Sequence, residues 1–193
     1  MYCLCLQSET RSTLFYSMSK RAPNINKMTY EINQLQVSVF SKLELPISNV
    51  HPDLECQEYF GHNFQLNQYH IKSRKSKITP KKIGQFVTLW KRNPGTKETE
   101  PFSYLDYFDF YIIISESEHQ SGFFFFPKSI LIQKQILTSP SKEGKRGFRV
   151  YPNWDIPQNK QAQKTQDWQK QFFIDFSDDH FLTKFEQILN LKD

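Results

Sequence analysis

The chain has 193 residues with 25 Lys and Arg against 20 Asp and Glu, a formal charge of +5, and 18 Phe among an aromatic share of 16%. That length fits one domain with a core of its own, and the composition assigns that core to rings more than to aliphatic side chains. Cys3, Cys5 and Cys56 form neither a disulfide framework nor a zinc-ligand spacing. No run approaches the roughly 18 apolar residues of a membrane span, and the start lacks the shape of a secretory signal, so the expectation is a cytoplasmic protein with no membrane partner.

Residues 1–27 are rich in Ser and Asn without periodicity and read as a disordered leader, with Met18 and Met28 as alternative starts. One α/β domain is expected over 28–193. Ile32, Leu35, Val39 and Leu43 recur at helical spacing from about Tyr30, with Thr29 as a possible N-cap and Pro46 as the stop. An acidic loop with Asp53, Glu55 and Glu58 leads to a hairpin whose strands flank Asn67-Gln68. Phe86 to Trp90 reads as a short buried strand, and a polar loop from Asn93 reaches Pro101. The near-continuous apolar runs FDFYIII (108–114) and GFFFF (122–126) read as neighbouring central strands buried on both faces. A short helix over 129–137, a strand over 148–151, a helix capped by Asn159 and running to about Phe173, and an amphipathic helix over 179–191 complete the chain. The order predicts an α/β fold with a mixed central sheet flanked by helices.

Charge concentrates in residues 71–92, IKSRKSKITPKKIGQFVTLWKR, which hold eight Lys or Arg and no acid. Lys77, Lys81, Lys82, Lys91 and Arg92, with Gln85 among them, form one candidate binding cluster; Lys145, Arg146 and Arg149 form a second. Such clusters neutralise phosphates without regard to sequence, so nucleic acid or another phosphate-bearing ligand is the expected partner. Trp90 and Trp154 are either stacking platforms for bases or core rings. Gly144 to Gly147 reads as a flexible turn, not a phosphate-binding loop. In the helix after Asn159, Ala162, Thr165, Gln166 and Gln169 share a face. Gln166 and Gln169 then either line a pocket or form a polar network between helix and sheet. The five His lack ligand spacing, and no HExxH, GxSxG or Cys–His signature is present.

Four collinear blocks, KITPKKIGQFVTLWKR (77–92), FFFPKSIL (124–131), GKRGFRVYPNWD (144–155) and NKQAQKTQDWQ (159–169), resemble the MepB-like family, over roughly residues 58–176. The family is named from a gene beside a multidrug efflux pump and its repressor. The resemblance implies a restriction-endonuclease-like fold of the PD-(D/E)xK type. A nuclease of that type holds Mg²⁺ on carboxylates beside a lysine. Asp109 (or Asp106), opening the first central strand, would be metal ligand and catalytic carboxylate. Lys128, closing the second, would be the catalytic lysine, and Glu58 a further ligand. Phe126 stands where the second acid would be. Three functions follow. The first is a binding module that needs no cofactor, the second a Mg²⁺-dependent phosphodiesterase, and the third a small-molecule- or protein-binding accessory linked to drug resistance.

Overall fold

In the computed structural model, which describes residues 24–192, the chain opens with helix α1 (Asn24–Leu35), continued by a π-helical turn (Gln36–Phe40) and a 3₁₀ turn (Ser41–Leu43). Next come β1 (Ile47–Pro52), a 3₁₀ helix (Leu54–Tyr59), β2 (His62–Leu66), β3 (Tyr69–Lys75), β4 (Lys77–Thr79), β5 (Lys82–Thr88), β6 (Trp90–Arg92) and β7 (Thr99–Pro101). The central pair β8 (Phe110–Glu116) and β9 (Ser121–Pro127) is followed by α2 (Lys128–Gln133), β10 (Gly147–Val150), α3 (Lys160–Gln169), β11 (Phe173–Asp175) and α4 (Phe181–Leu189). Of the leader expected over 1–27, positions 1–23 lie outside the described residues, and 24–27 begin α1. No described helix is long and apolar enough to cross a membrane.

The central sheet has the order β1-β2-β3-β8-β9-β11. It is mixed and mostly antiparallel: β3 and β8 run parallel, from Ile71↔Phe110 to Lys75↔Ile114, while the other neighbours are antiparallel. The two apolar runs occupy its middle because a strand covered on both faces must be apolar at every position. Tyr111, Ile112, Ile113 and Phe123 to Phe126 are accordingly sealed from solvent. On one face Phe125 stacks on Phe110 at 4.3 Å and on Phe185 of α4 at 4.6 Å, and Phe40, from the turn after α1, meets Phe64 and Phe185. On the other, Phe126 meets Trp168 of α3, Phe148 of β10 and Phe172. Rings at 4.3–6.4 Å thus connect helices to both faces, as the aromatic composition implies.

A three-stranded sheet, β10-β5-β4, and the β6–β7 hairpin lie against that second face. Their link is Arg74 of β3, only 2% exposed, whose guanidinium donates to Thr88 Oγ1 (3.0 Å) and the Trp90 carbonyl (2.9 Å) and pairs with Asp53 (3.3 Å). The basic run of residues 71–92 is therefore distributed over β3, β4, β5 and β6. Arg74 lies in the interior, and Lys75 is paired with Glu31 at 3.3 Å and Glu116 at 2.7 Å.

Candidate phosphate-binding cleft

A cleft of roughly 810 Å³ opens between the β10-β5-β4 sheet, the end of α2 and the first turns of α3. Lys81, Lys82, Lys134, Lys145 and Arg149 line it, and no carboxylate does so among the described residues. Each cation arrives from a different local cause. Pro80-Lys81 forms the turn between β4 and β5, so Lys81 and Lys82 project at its tip. Lys145 sits just before β10, its backbone N–H bonded to the Ile136 carbonyl at 2.8 Å. Lys134 ends α2, its ammonium 5.4 Å from the centre of the Trp168 ring. Among the described residues none of these four lysines pairs with a carboxylate.

Arg149 is held more firmly. Its guanidinium donates to the Gly84 carbonyl at 2.8 Å and Thr79 Oγ1 at 2.8 Å, across from its strand partner Phe86. Gly84 is required there: it takes φ +83°, and a Cβ would come within 2.5 Å of the Tyr151 ring. The α3 wall presents Gln161, Thr165 and Trp168 to the cleft, residues that helical spacing puts on one face. Trp168 and Lys134 escape a reading of the sequence. Lys134 lies outside both basic runs, and Trp168 gains its place only when α3 packs on Phe126 at 5.4 Å.

The expected binding residues separate into two groups. Lys81, Lys145 and Arg149 meet in this cleft, as does Lys82. Lys77, Lys91, Arg92 and Arg146 do not line it. Lys77 pairs with Glu58 at 3.5 Å over the Tyr59 ring, and Lys91 with Asp106 and Glu100. Arg92 donates to the Lys97 carbonyl at 3.2 Å, and Arg146 to the Thr99 carbonyl at 3.0 Å and to Glu143. The Trp90 carbonyl serves Arg74, and Trp154 packs edge-on against Phe173.

The three glutamines are structural. Gln85 accepts from Ser76 at 2.6 Å and donates to the Glu116 carbonyl at 3.1 Å. Gln166 donates to the carbonyls of Pro152 (2.9 Å) and Asp155 (2.8 Å). Gln169 accepts from the Tyr151 N–H and donates to the Arg149 carbonyl. All three are 5% exposed or less, and their bonds tie each amide to the chain's own backbone or to Ser76.

The nuclease-type constellation assembles only in part. Asp109 and Lys128 are adjacent, the Lys128 N–H bonding the Asp109 carbonyl at 2.9 Å. The Asp109 carboxylate accepts the His70 N–H at 2.8 Å, and the Lys128 ammonium donates to the Asp106 carbonyl over the Phe108 ring. Glu58 does not join them. It is exposed beside Lys77, past the far end of β3, while Asp109 meets His70 at the near end, some six residues or about 20 Å along the strand. Phe126, in the place of the second acid, is fully buried among Phe124, Phe148, Trp168 and Phe172. Among the described residues no three His, Cys, Asp or Glu side chains are grouped to hold a metal ion. Of the residues expected to share a Mg²⁺ ion, Asp109 and Lys128 are neighbours and Glu58 is held apart from them.

Behind the cleft, in the segment between β10 and α3, Asp155 has Oδ2 buried with no donor in reach among the described residues. Burial pushes its carboxyl up to about 6. The folded state thus holds this proton more tightly than the unfolded chain, whose carboxyl titrates near 4. The stabilising contribution is complete below about pH 4 and is lost as pH rises through about 6. Two pH units correspond to about 3 kcal/mol, and partial solvation of the carboxylate reduces this to about 1 kcal/mol. Asp155→Asn is expected to flatten the pH dependence of urea unfolding between pH 4 and 7; an unchanged slope would assign it to other groups.

The profile of the MepB-like family matches residues 53–175, most of the chain. The chain belongs to the MepB-like family. Its fold is similar to the crystal structure of MepB, at 29% identity and a TM-score of 0.65, over 86% of this chain and 97% of that one. A bacterial homing endonuclease is a more remote neighbour, at 15% identity and a TM-score of 0.44 over 74% of this chain and 89% of that one, too distant to carry an argument. No curated protein sequence matches the chain.

Proposed function

We propose that this MepB-like protein is a binding module for nucleic acid, holding the phosphate backbone in the cleft between β10-β5-β4 and α3. The observation that carries this is five Lys and Arg lining one cleft with no carboxylate beside them among the described residues. Cations gathered on a concave surface without counter-charges repel one another, and the arrangement becomes favourable when a polyanion enters and releases its counterions. Arg149, pinned by two bonds at 2.8 Å, supplies a fixed fork, while the four lysines adapt to the phosphate path. The Trp168 ring on the α3 wall offers a surface for a base.

Fluorescently labelled single- and double-stranded oligonucleotides, titrated at two salt concentrations with and without Mg²⁺, test this reading. The expected result is affinity that falls steeply with salt. The double variant Lys82→Glu/Lys145→Glu should weaken it at least about tenfold and lower the salt slope. Absence of binding at low salt, or binding indifferent to that variant, would remove the cleft from consideration.

A second reading, a Mg²⁺-dependent phosphodiesterase on a nuclease-like fold, is favoured by the adjacency of Asp109 and Lys128. The Mg²⁺ arm of the same titration tests it. Cleavage abolished by Asp109→Asn would establish this reading, and intact oligonucleotide with Mg²⁺ present would end it.

A further inference from the structure

Lys72 is the cation whose situation the proposed binding mode leaves unexplained. It lies on β3, two residues from Arg74, which is buried, and three from Lys75, which like Lys72 is partly buried. Its neighbours each meet a carboxylate at 3.3 Å or closer. The Lys72 ammonium instead donates to Asn63 Oδ1 at 2.7 Å and lies 4.8 Å from the centre of the Phe102 ring, with no ion pair among the described residues. Burial lowers its pKa, with the Asp53 and Asp106 carboxylates opposing the shift from beyond ion-pair distance. A partly buried cation that opens on a cleft is a candidate for binding an anionic ligand.

The space beside it suits one. A separate cleft of roughly 440 Å³ is bounded by Lys72, Asn63, Gln65 and His70 of β2 and β3, with Asn49 and His51 of β1 on one side and Tyr107 on the other. No carboxylate lines it among the described residues. One ammonium hydrogen is taken by Asn63, which leaves two for a ligand. The Tyr107 hydroxyl and His70 Nε2 are 2.7 Å apart, fixing both rings at the rim. Asn49 is held against Gln65 at 2.5 Å, and His51 Nδ1 is bonded to the Asn49 carbonyl at 2.9 Å, so the far wall is also set before any ligand arrives.

We propose that this second cleft binds a small oxyanion, a phosphate or a carboxylate, whose charge Lys72 neutralises. The edge strand β1 gives the site Asn49 and His51, its neighbour β2 gives Asn63 and Gln65, and β3 gives His70 and the cation. It is distinct from the larger cleft, with which it shares no lining residue.

Calorimetric titration of the full chain with inorganic phosphate, and separately with acetate, at constant ionic strength in chloride, tests the assignment. Saturable binding by the wild-type protein is expected, together with a rise in thermal midpoint. Lys72→Met, which keeps the apolar stem, should bind at least about tenfold more weakly, and Lys72→Arg, which keeps the charge, should remain within a few-fold of wild type. Phosphate alone binding would identify a phosphate site, and both binding would identify a general oxyanion site. A flat wild-type titration overturns the proposal. So does Lys72→Met binding as tightly as wild type, since the anion would then be held in the larger cleft.

Discussion

Arg74→Ala is expected to destabilise the protein by about 3–5 kcal/mol, a large share of the roughly 5–15 kcal/mol that holds a domain folded. The residue is 2% exposed, and its guanidinium meets Thr88, the Trp90 carbonyl and Asp53. Truncation leaves the Asp53 carboxylate, 17% exposed, without its cation, and the Trp90 carbonyl without its donor. It also removes the flat group that lies 5.4 Å from the centre of the Phe102 ring. Because Arg74 belongs to the central sheet and its acceptors to β5 and β6, the change loosens one sheet from the other. Arg74→Met restores volume and should recover part of the loss, and Asp53→Asn combined with Arg74→Ala should cost less than the sum of the two. Urea midpoints of the wild type, the three single variants and the double variant measure this. A loss below about 1 kcal/mol for Arg74→Ala would mean that water replaces the guanidinium.

The central strands were legible because physics leaves a sequence little choice there. A strand covered on both faces must be apolar throughout, and FDFYIII and GFFFF read so directly. The Asn67 hairpin was legible because Asn tolerates the left-handed φ, here +53°, that the turn demands. What escaped was set by tertiary partners. β1 is exposed along all but its first residue, and only the free edge of β2 makes it a strand. β11 continues an apolar helical pattern, and pairing of Phe173 with Phe124 on β9 makes it extended. The polar loop after Asn93 is tied at its base as β6 and β7.

The candidate site followed the same division. Basic residues could be counted, but not their carboxylates, so Lys77, Lys91 and Arg146 read as free when each has an acidic partner nearby. What distinguishes Lys81, Lys82 and Lys145 is the absence of such partners among the described residues, a property of the fold and not of any segment. Lys72 illustrates the converse. It sits in the same charge run, yet that it bonds Asn63 and forms no ion pair among the described residues is visible only once β2 and β3 are paired.

Gln169→Leu should cost about 2–4 kcal/mol, from two buried backbone groups left unpaired at about 1–2 kcal/mol each. The side chain is wholly buried and works as a one-residue strand: Oε1 accepts the Tyr151 N–H at 2.9 Å and Nε2 donates to the Arg149 carbonyl at 3.0 Å. Leucine fills the volume and replaces neither bond. Gln169→Glu keeps the acceptor but loses the donor and buries a charge, so it should cost more still. The consequence for binding differs from that of Arg74. Gln169 joins α3 to β10, the two walls that carry Trp168 and Arg149 into the larger cleft. Under conditions where the variant is still folded, oligonucleotide affinity should fall together with stability, because the Arg149 backbone is released from the helix. Chemical unfolding and binding measured on one preparation separate the cases: lost stability with unchanged affinity would mean that Arg149 is held well enough by Gly84 and Thr79 alone.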